Sequence, residues 1–158
     1  MKSASNLTRA AVLIILSIVL GKMLSLTLGP VRISLENLPV LLAGIWMGPI
    51  YGMVVGALAD ILGSLLVGYT INPLITLGAA MVGFVAGLVY HGTPSLRRFK
   101  MFASVFLAHL IGSIFIKSLG LVLLYGYPWI ILAYRAILYI VIGIIETILA
   151  KYIIGHFR

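Results

Sequence analysis

Residues 29–64 read GPVRISLENLPVLLAGIWMGPIYGMVVGALADILGS. The stretch opens on Gly29-Pro30, a turn signal, carries Arg32, Glu36 and Asn37 in a polar connection, and then becomes apolar. From Gly48 onward a small or polar residue returns at every fourth position: Gly48, Gly52, Gly56, Asp60 and Ser64. Residues four apart share one face of a helix. Such a face lets a second backbone come close, and this one ends in a carboxylate and a hydroxyl inside an apolar run. An ionisable group in such a run is costly and faces a cavity or a partner. The stretch therefore predicts a polar loop, a close helix hairpin broken at Gly48-Pro49, and a buried acid.

The rest of the chain fits a membrane setting. Of its 158 residues 63% are hydrophobic and 9% charged, with a mean hydropathy of +1.24. A soluble domain is about a quarter charged. Residues 1–158 are therefore expected to form a single membrane-embedded domain. One span needs about 20 apolar residues, so the expected fold is an all-α bundle of six transmembrane helices with short loops. The net charge of +8 would point to nucleic acid in a soluble domain. On so hydrophobic a carrier it reads instead as membrane topology and as a site for an anion. There is no cysteine, which excludes disulfides and thiolate metal sites. Lys2 and Arg9 precede an apolar run as in a signal peptide, but no small-residue cleavage site follows, so the run is expected to remain as the first helix.

In chain order, the first helix is expected over 7–28, with Ser17, Gly21 and Ser25 spaced by four, a pattern suited to close packing in lipid. A loop then leads to Asn37. Further helices are expected over 38–47, 50–66, 73–90 and 101–119, and from Pro128-Trp129 to about residue 154. The fourth carries Ala79, Gly83 and Gly87 on one side, the fifth His109, Ser113 and Lys117, and the sixth Arg135, Tyr139, Gly143 and Glu146. With the N-terminus in the cytoplasm, Lys2, Arg9, Arg97, Arg98, Lys100, Lys151 and Arg158 all fall inside, as the bias of basic residues requires. Lys22, Arg32, Lys117 and Arg135 then lie towards the outer side and need another reason.

The residues speak against an enzyme. Glu36, Asp60 and Glu146 are the only acids, far apart in sequence, whereas paired-carboxylate chemistry needs two close together. His91, His109 and His156 have no metal-ligand spacing, and no nucleophile-elbow, zinc-protease or nucleotide-loop motif occurs. No cofactor or metal is expected. Instead, the outer half combines cations, amides and hydroxyls with Tyr69, Tyr125, Tyr127, Trp129 and Tyr134, a mixture suited to a flat aromatic ligand bearing a carboxylate. Each residue also has a plainer role. Trp129 and the tyrosines suit an interfacial belt, and Lys22 can snorkel. Asp60 can pair with a cation, and Ser64 can bond its own helix. His109 can serve hydrogen-bonded packing, and Glu146 can pair with Lys151 or reach a neighbouring helix. The Ser17, Gly21 and Ser25 stripe can pack within the chain or receive another membrane protein.

The succession Arg-Ile-Ser, Asn-Leu-Pro, Gly-Pro, Ala-Asp and Asn-Pro from Arg32 to Pro73 resembles the substrate-binding S components of energy-coupling factor (ECF) vitamin importers, most of all the folate-specific branch. Relatives proposed for pyridoxine or hydroxymethylpyrimidine share the layout. The resemblance implies a multi-pass protein of the bacterial plasma membrane with both termini cytoplasmic. It implies a vitamin pocket on the outer side, capped by the loops around Arg32, Tyr69–Asn72 and Tyr125–Trp129. It also implies partnership with a transmembrane T subunit and two cytoplasmic ATPases, and toppling in the membrane to release substrate inwards. For folate, Asp60 would accept bonds from the pterin, Asn72 and Ser64 would add polar contacts, and Arg32, Lys117 or Arg135 would neutralise the glutamate carboxylates. Tyr69 and Trp129 would supply aromatic surface. The family docks its partner on small residues of the first helix, often Ala-x-x-x-Ala. Ala10 and Ala11 have no alanine four positions on, so Ser17 and Gly21 are the expected docking positions. A different class, a non-transporting scaffold subunit, would need Arg32, Lys117 and Arg135 to be paired with the chain's three acids.

Overall fold

The computed structural model describes residues 2–28, 31–93 and 99–156. The Gly29-Pro30 turn, Arg97, Arg98, Arg158 and the side chain of Arg32 lie outside what it describes. Helix α1 (Lys2–Ile18) runs into a π-helical turn, Val19–Met23. Strands β1 (Leu26–Leu28) and β2 (Val31–Ile33) follow, then α2 (Asn37–Met47), α3 (Pro49–Val67) and α4 (Pro73–Gly92). Helix α5 (Lys100–Tyr125) is π-helical over His109–Ile116, and α6 spans Ile131–His156.

Local chemistry sets most of these limits. Pro49 and Pro73 open α3 and α4, where a missing N–H leaves no bond unmade. Asn72 caps α4, its Oδ1 accepting from the N–H groups of Leu74 and Ile75 at 3.0 and 3.3 Å. Between α2 and α3 the chain turns at Gly48, whose φ of 104° lies where side chains are disfavoured.

Helices α2, α3 and α4 form the tightest part of the bundle. A Cβ added at Gly83 would fall into the backbone of Gly52, and one added at Gly56 into the backbone of Ala79. The fourfold spacing on the third and fourth helices thus serves packing of one against the other. Helix α2 lies at the centre, buried from Asn37 to Ile45. Large apolar side chains such as Ile15, Leu66, Phe115, Ile137 and Ile148 are exposed around the outside. Lipid, not water, is the solvent that accepts them.

Among the described residues, five helices are long and apolar enough to cross a membrane: Ala4–Met23, Pro49–Val67, Pro73–Gly92, Lys100–Tyr125 and Ile131–His156. Helix α2 is shorter. Its 11 residues rise about 16 Å, roughly half of a bilayer core. The all-helical membrane bundle is as expected, with one helix too short to cross by itself.

Three boundaries differ from the sequence expectation. The first helix ends at Met23, and strands β1 and β2 run antiparallel, pairing Leu26 with Ile33, Thr27 with Arg32 and Leu28 with Val31. The alternation Leu26, Leu28, Val31, Ile33 is a strand period, masked by the apolar run before it. Helix α5 continues to Tyr125, because nothing before Gly126 breaks it. Helix α6 starts after Pro128, whose carbonyl accepts from the Ile131 N–H at 3.0 Å in a turn.

Candidate functional site

A cavity of about 640 Å³ opens above the N-terminus of α2. Lys22, from the π-helical turn, and Thr27, from the hairpin, form one side. Ser34 and Glu36 come from the connection to α2, Asp60 and Ser64 from α3. Tyr69, Thr70 and Asn72 precede α4, Lys117 and Tyr125 belong to α5, Tyr127 follows it, and Arg135 and Tyr139 belong to α6. Beneath lies a void of about 20 Å³ bounded by Ser17, Glu36, Asn37, Asp60 and Lys117, room for about one water molecule.

Six of the residues singled out from sequence, Asp60, Ser64, Tyr69, Asn72, Lys117 and Arg135, line this one cavity. Their side chains are not equally available. Asp60 accepts a 2.6 Å hydrogen bond from the Thr76 hydroxyl on one carboxylate oxygen, Oδ2. Asn72 is occupied by the fold: besides capping α4, its Nδ2 donates to the Gly120 carbonyl at 3.4 Å. Lys117 is buried and donates to Glu36 Oε1 at 3.1 Å and to Asn37 Oδ1 at 3.3 Å. Arg135 donates from Nη2 to the Ser113 carbonyl at 3.0 Å and to the Tyr139 hydroxyl at 3.4 Å, and its guanidinium lies 5.2 Å from the Tyr139 ring centre. Its buried Nε has no hydrogen-bond partner.

Trp129 does not line the cavity and is 60% exposed, a placement suited to a membrane interface. Arg32 is placed by its backbone on β2, opposite Thr27. Ser17 and Gly21, the expected docking positions, face inward. Both are buried, Ser17 donates to the Glu36 carbonyl at 2.6 Å, and a Cβ on Gly21 would stand 2.7 Å from Glu36 Oε2. They seat the chain entering α2. Four-residue spacing shows that side chains share a face, but not which way that face points.

Lys22, expected to snorkel, and Tyr125 and Tyr127, for which the sequence left both a ligand role and an interfacial belt open, all line the cavity. The Lys22 ammonium lies 5.6 Å from the Tyr69 ring centre, within reach of a cation–π contact. Glu36 and Tyr139 also belong to the wall. The signal for Tyr139 was its place one turn after Arg135; for Glu36 none existed beyond its charge. His109 and Glu146 pair at 2.5 Å, so His109 is hydrogen-bonded as expected, and the partner of Glu146 lies on the neighbouring helix.

Among the described residues no group of three or more His, Cys, Asp or Glu could hold a metal. The cavity is lined by the acids Asp60 and Glu36 and the cations Lys117 and Arg135, Lys117 and Glu36 forming an ion pair, together with Tyr69, Tyr125, Tyr127 and Tyr139. Its volume is in the range of small-molecule sites. It can take a flat ligand with donor groups at one edge and an anionic group elsewhere.

The sequence model of the family described as ECF transporter, substrate-specific component, matches residues 5–155. No curated protein matches the sequence. Among solved structures, the crystal structure of FolT bound with folic acid superposes with a TM-score of 0.76 at 23% identity, covering 96% of this chain and 93% of that one. The S component of a bacterial ECF transporter superposes with a TM-score of 0.73 at 19% identity, covering 98% of this chain and 96% of that one. At these identities the likeness is one of fold.

Proposed function

The chain belongs to the family of ECF transporter substrate-specific components, and from that premise we propose that it binds folate in the cavity above α2 and delivers it inwards. The family is one of transport components, not of enzymes. The observation that carries the folate reading is that Asp60, Lys117 and Arg135 all line one cavity. A pterin presents an amino group and ring N–H donors to a carboxylate, and such charge-assisted bonds are among the stronger ones. The glutamate tail presents carboxylates to cations. That FolT shares this fold and was solved with folic acid supports the same choice.

The protein works in the bacterial plasma membrane with both termini in the cytoplasm and the cavity outside, together with a T subunit and two ATPases. The distribution of basic residues supports this orientation. A scaffold role is disfavoured because Arg135 is held by a carbonyl and a phenol, not by an acid.

The test is titration calorimetry of the purified protein with folate, pyridoxine and hydroxymethylpyrimidine, with absorbance of a denatured extract to identify any ligand carried through purification. One-to-one folate binding is expected. Tight pyridoxine binding with none of folate would replace the substrate while keeping the family.

A further inference from the structure

Glu146 and His109 are 0% and 1% exposed, and neither lines the cavity. An ionisable pair is an expensive way to pack α5 on α6, since apolar side chains of similar volume would do it at least as well. What it provides is direction. Lys117 Nζ donates to Asn37 Oδ1 at 3.3 Å, and Asn37 Nδ2 donates to Ser113 Oγ at 3.5 Å. Ser113 Oγ meets His109 Nδ1 at 3.1 Å, and His109 Nε2 meets Glu146 Oε2 at 2.5 Å.

One order of protons satisfies these contacts with Glu146 as a carboxylate and His109 as a neutral ring. A carboxylate at Glu146 accepts from His109 Nε2–H. In the neutral ring Nδ1 is then the acceptor, so it takes the Ser113 hydroxyl proton. The Ser113 oxygen, its proton committed, accepts from the Asn37 amide nitrogen. The Asn37 oxygen is thereby turned to Lys117. A second branch reaches Arg135: the Ser113 carbonyl accepts from its Nη2, and the His109 ring packs 4.9 Å from the Tyr139 ring, whose hydroxyl bonds the same nitrogen. The π-helical stretch His109–Ile116 carries both His109 and Ser113, and such stretches are common beside functional sites.

We propose that Glu146 and His109 are positioning residues for substrate: acting through Ser113, they hold Lys117 and Arg135 in the arrangement that receives an anionic group of the ligand. The proposal rests on the folate reading for the identity of that group, though not for the order of the hydrogen bonds.

Two measurements test it. The first is ¹⁵N NMR of the His109 ring in the purified protein, assigned by comparison with His109→Phe. The neutral tautomer protonated at Nε2 is expected. An Nδ1–H ring or an imidazolium would overturn the directed chain whatever the ligand is. The second is calorimetric affinity for folate and for 6-hydroxymethylpterin, which lacks the carboxylates. In Glu146→Leu and His109→Phe, folate binding is expected to fall ~10-fold or more while the pterin changes by less than ~3-fold, since hydrogen bonds to charged groups outweigh neutral ones. Glu146→Gln keeps an acceptor for Nε2–H and is expected to restore folate binding to within ~3-fold. Equal losses for both ligands would mean a merely structural role and overturn the proposal, as would unchanged folate affinity in folded variants. If Glu146→Leu does not fold, His109→Phe and Ser113→Ala carry the same comparison. If the wild type binds no folate, the folate reading fails by itself. The split is then measured with pyridoxal 5′-phosphate against pyridoxine, and the tautomer still decides the chain.

Discussion

Replacing Asp60 with Asn removes one charge from the cavity wall and changes little else. The side chains have nearly the same shape, and the amide oxygen can accept the Thr76 hydroxyl that now donates to Oδ2 at 2.6 Å. The cost to folding is the difference between a charged and a neutral acceptor, about 1 kcal/mol. The cost to binding is larger. A carboxylate that accepts from a pterin loses about 1.5–3 kcal/mol of charge-assisted bonding on becoming an amide. At about 1.4 kcal/mol per decade, folate affinity should fall roughly 10- to 150-fold.

Calorimetry at fixed pH and salt measures this, with thermal unfolding as the check on folding. A second ligand locates the contact. An analogue with oxygen in place of the pterin 2-amino group has no such donor to give, so Asp60→Asn should cost it less than it costs the parent. The coupling should be about 1 kcal/mol or more for groups in direct contact. A folded Asp60→Asn protein with unchanged folate affinity would remove Asp60 from the site. Equal losses for both ligands would show that Asp60 acts through Thr76 and the seating of α4 on α3, not through the amino group.

Trp129→Ala should leave folate affinity within about twofold, the usual range for an exposed position away from special features; a tenfold loss would put the Trp129 loop over the occupied cavity. Gly21→Ala places a methyl against Glu36, the ion-pair partner of Lys117, and should lower stability by about 1–3 kcal/mol as overpacking does, with weaker binding alongside; normal stability and binding in that variant would contradict the inward placement of this face. Proteoliposomes holding the chain alone should bind folate but accumulate none against a gradient, and uptake should begin when a T subunit, ATPases and internal ATP are added; concentrative uptake by the lone chain would refute the proposed division of labour.

The sequence carries the membrane class and the helix pairing in its composition and in the fourfold spacing of small residues. Gly52 meets Gly83, and Gly56 meets Ala79, as two facing stripes should. It also carries the cationic wall, because Lys117 and Arg135 sit where neither lipid nor topology accounts for them. What it does not carry is orientation about a helix axis. Ser17 and Gly21 look like a surface stripe, yet they face Glu36, because a helix in lipid is apolar on its outer face as well as its inner one. The usual contrast between a wet and a dry side is missing. For the same reason Lys22 reads as an anchor at the membrane surface, when its side chain reaches the cavity beside Tyr69.

The shortness of α2 is tied to the site. Read as a membrane span, 11 residues are a defect: about 16 Å of helix against roughly 30 Å of hydrocarbon. The remaining height is taken up by strands β1 and β2 and the connection through Ser34 and Glu36, which has no helix of its own to fill the bundle axis. The cavity lies in that gap. Irregular backbone at such depth is tolerated where protein or a water-filled cavity surrounds it, and here both conditions hold: Ser17 takes the Glu36 carbonyl, and the cavity lies alongside. A helix extended upward by two turns would satisfy the membrane more simply. It would also place side chains beyond Asn37, which meets Lys117 and Ser113, filling the cavity that Lys117 and Arg135 line. The truncated helix, the hairpin above it and the polar network at its N-terminus are thus parts of one arrangement. An insertion that lengthened α2 towards the hairpin should abolish ligand binding even if the bundle still formed.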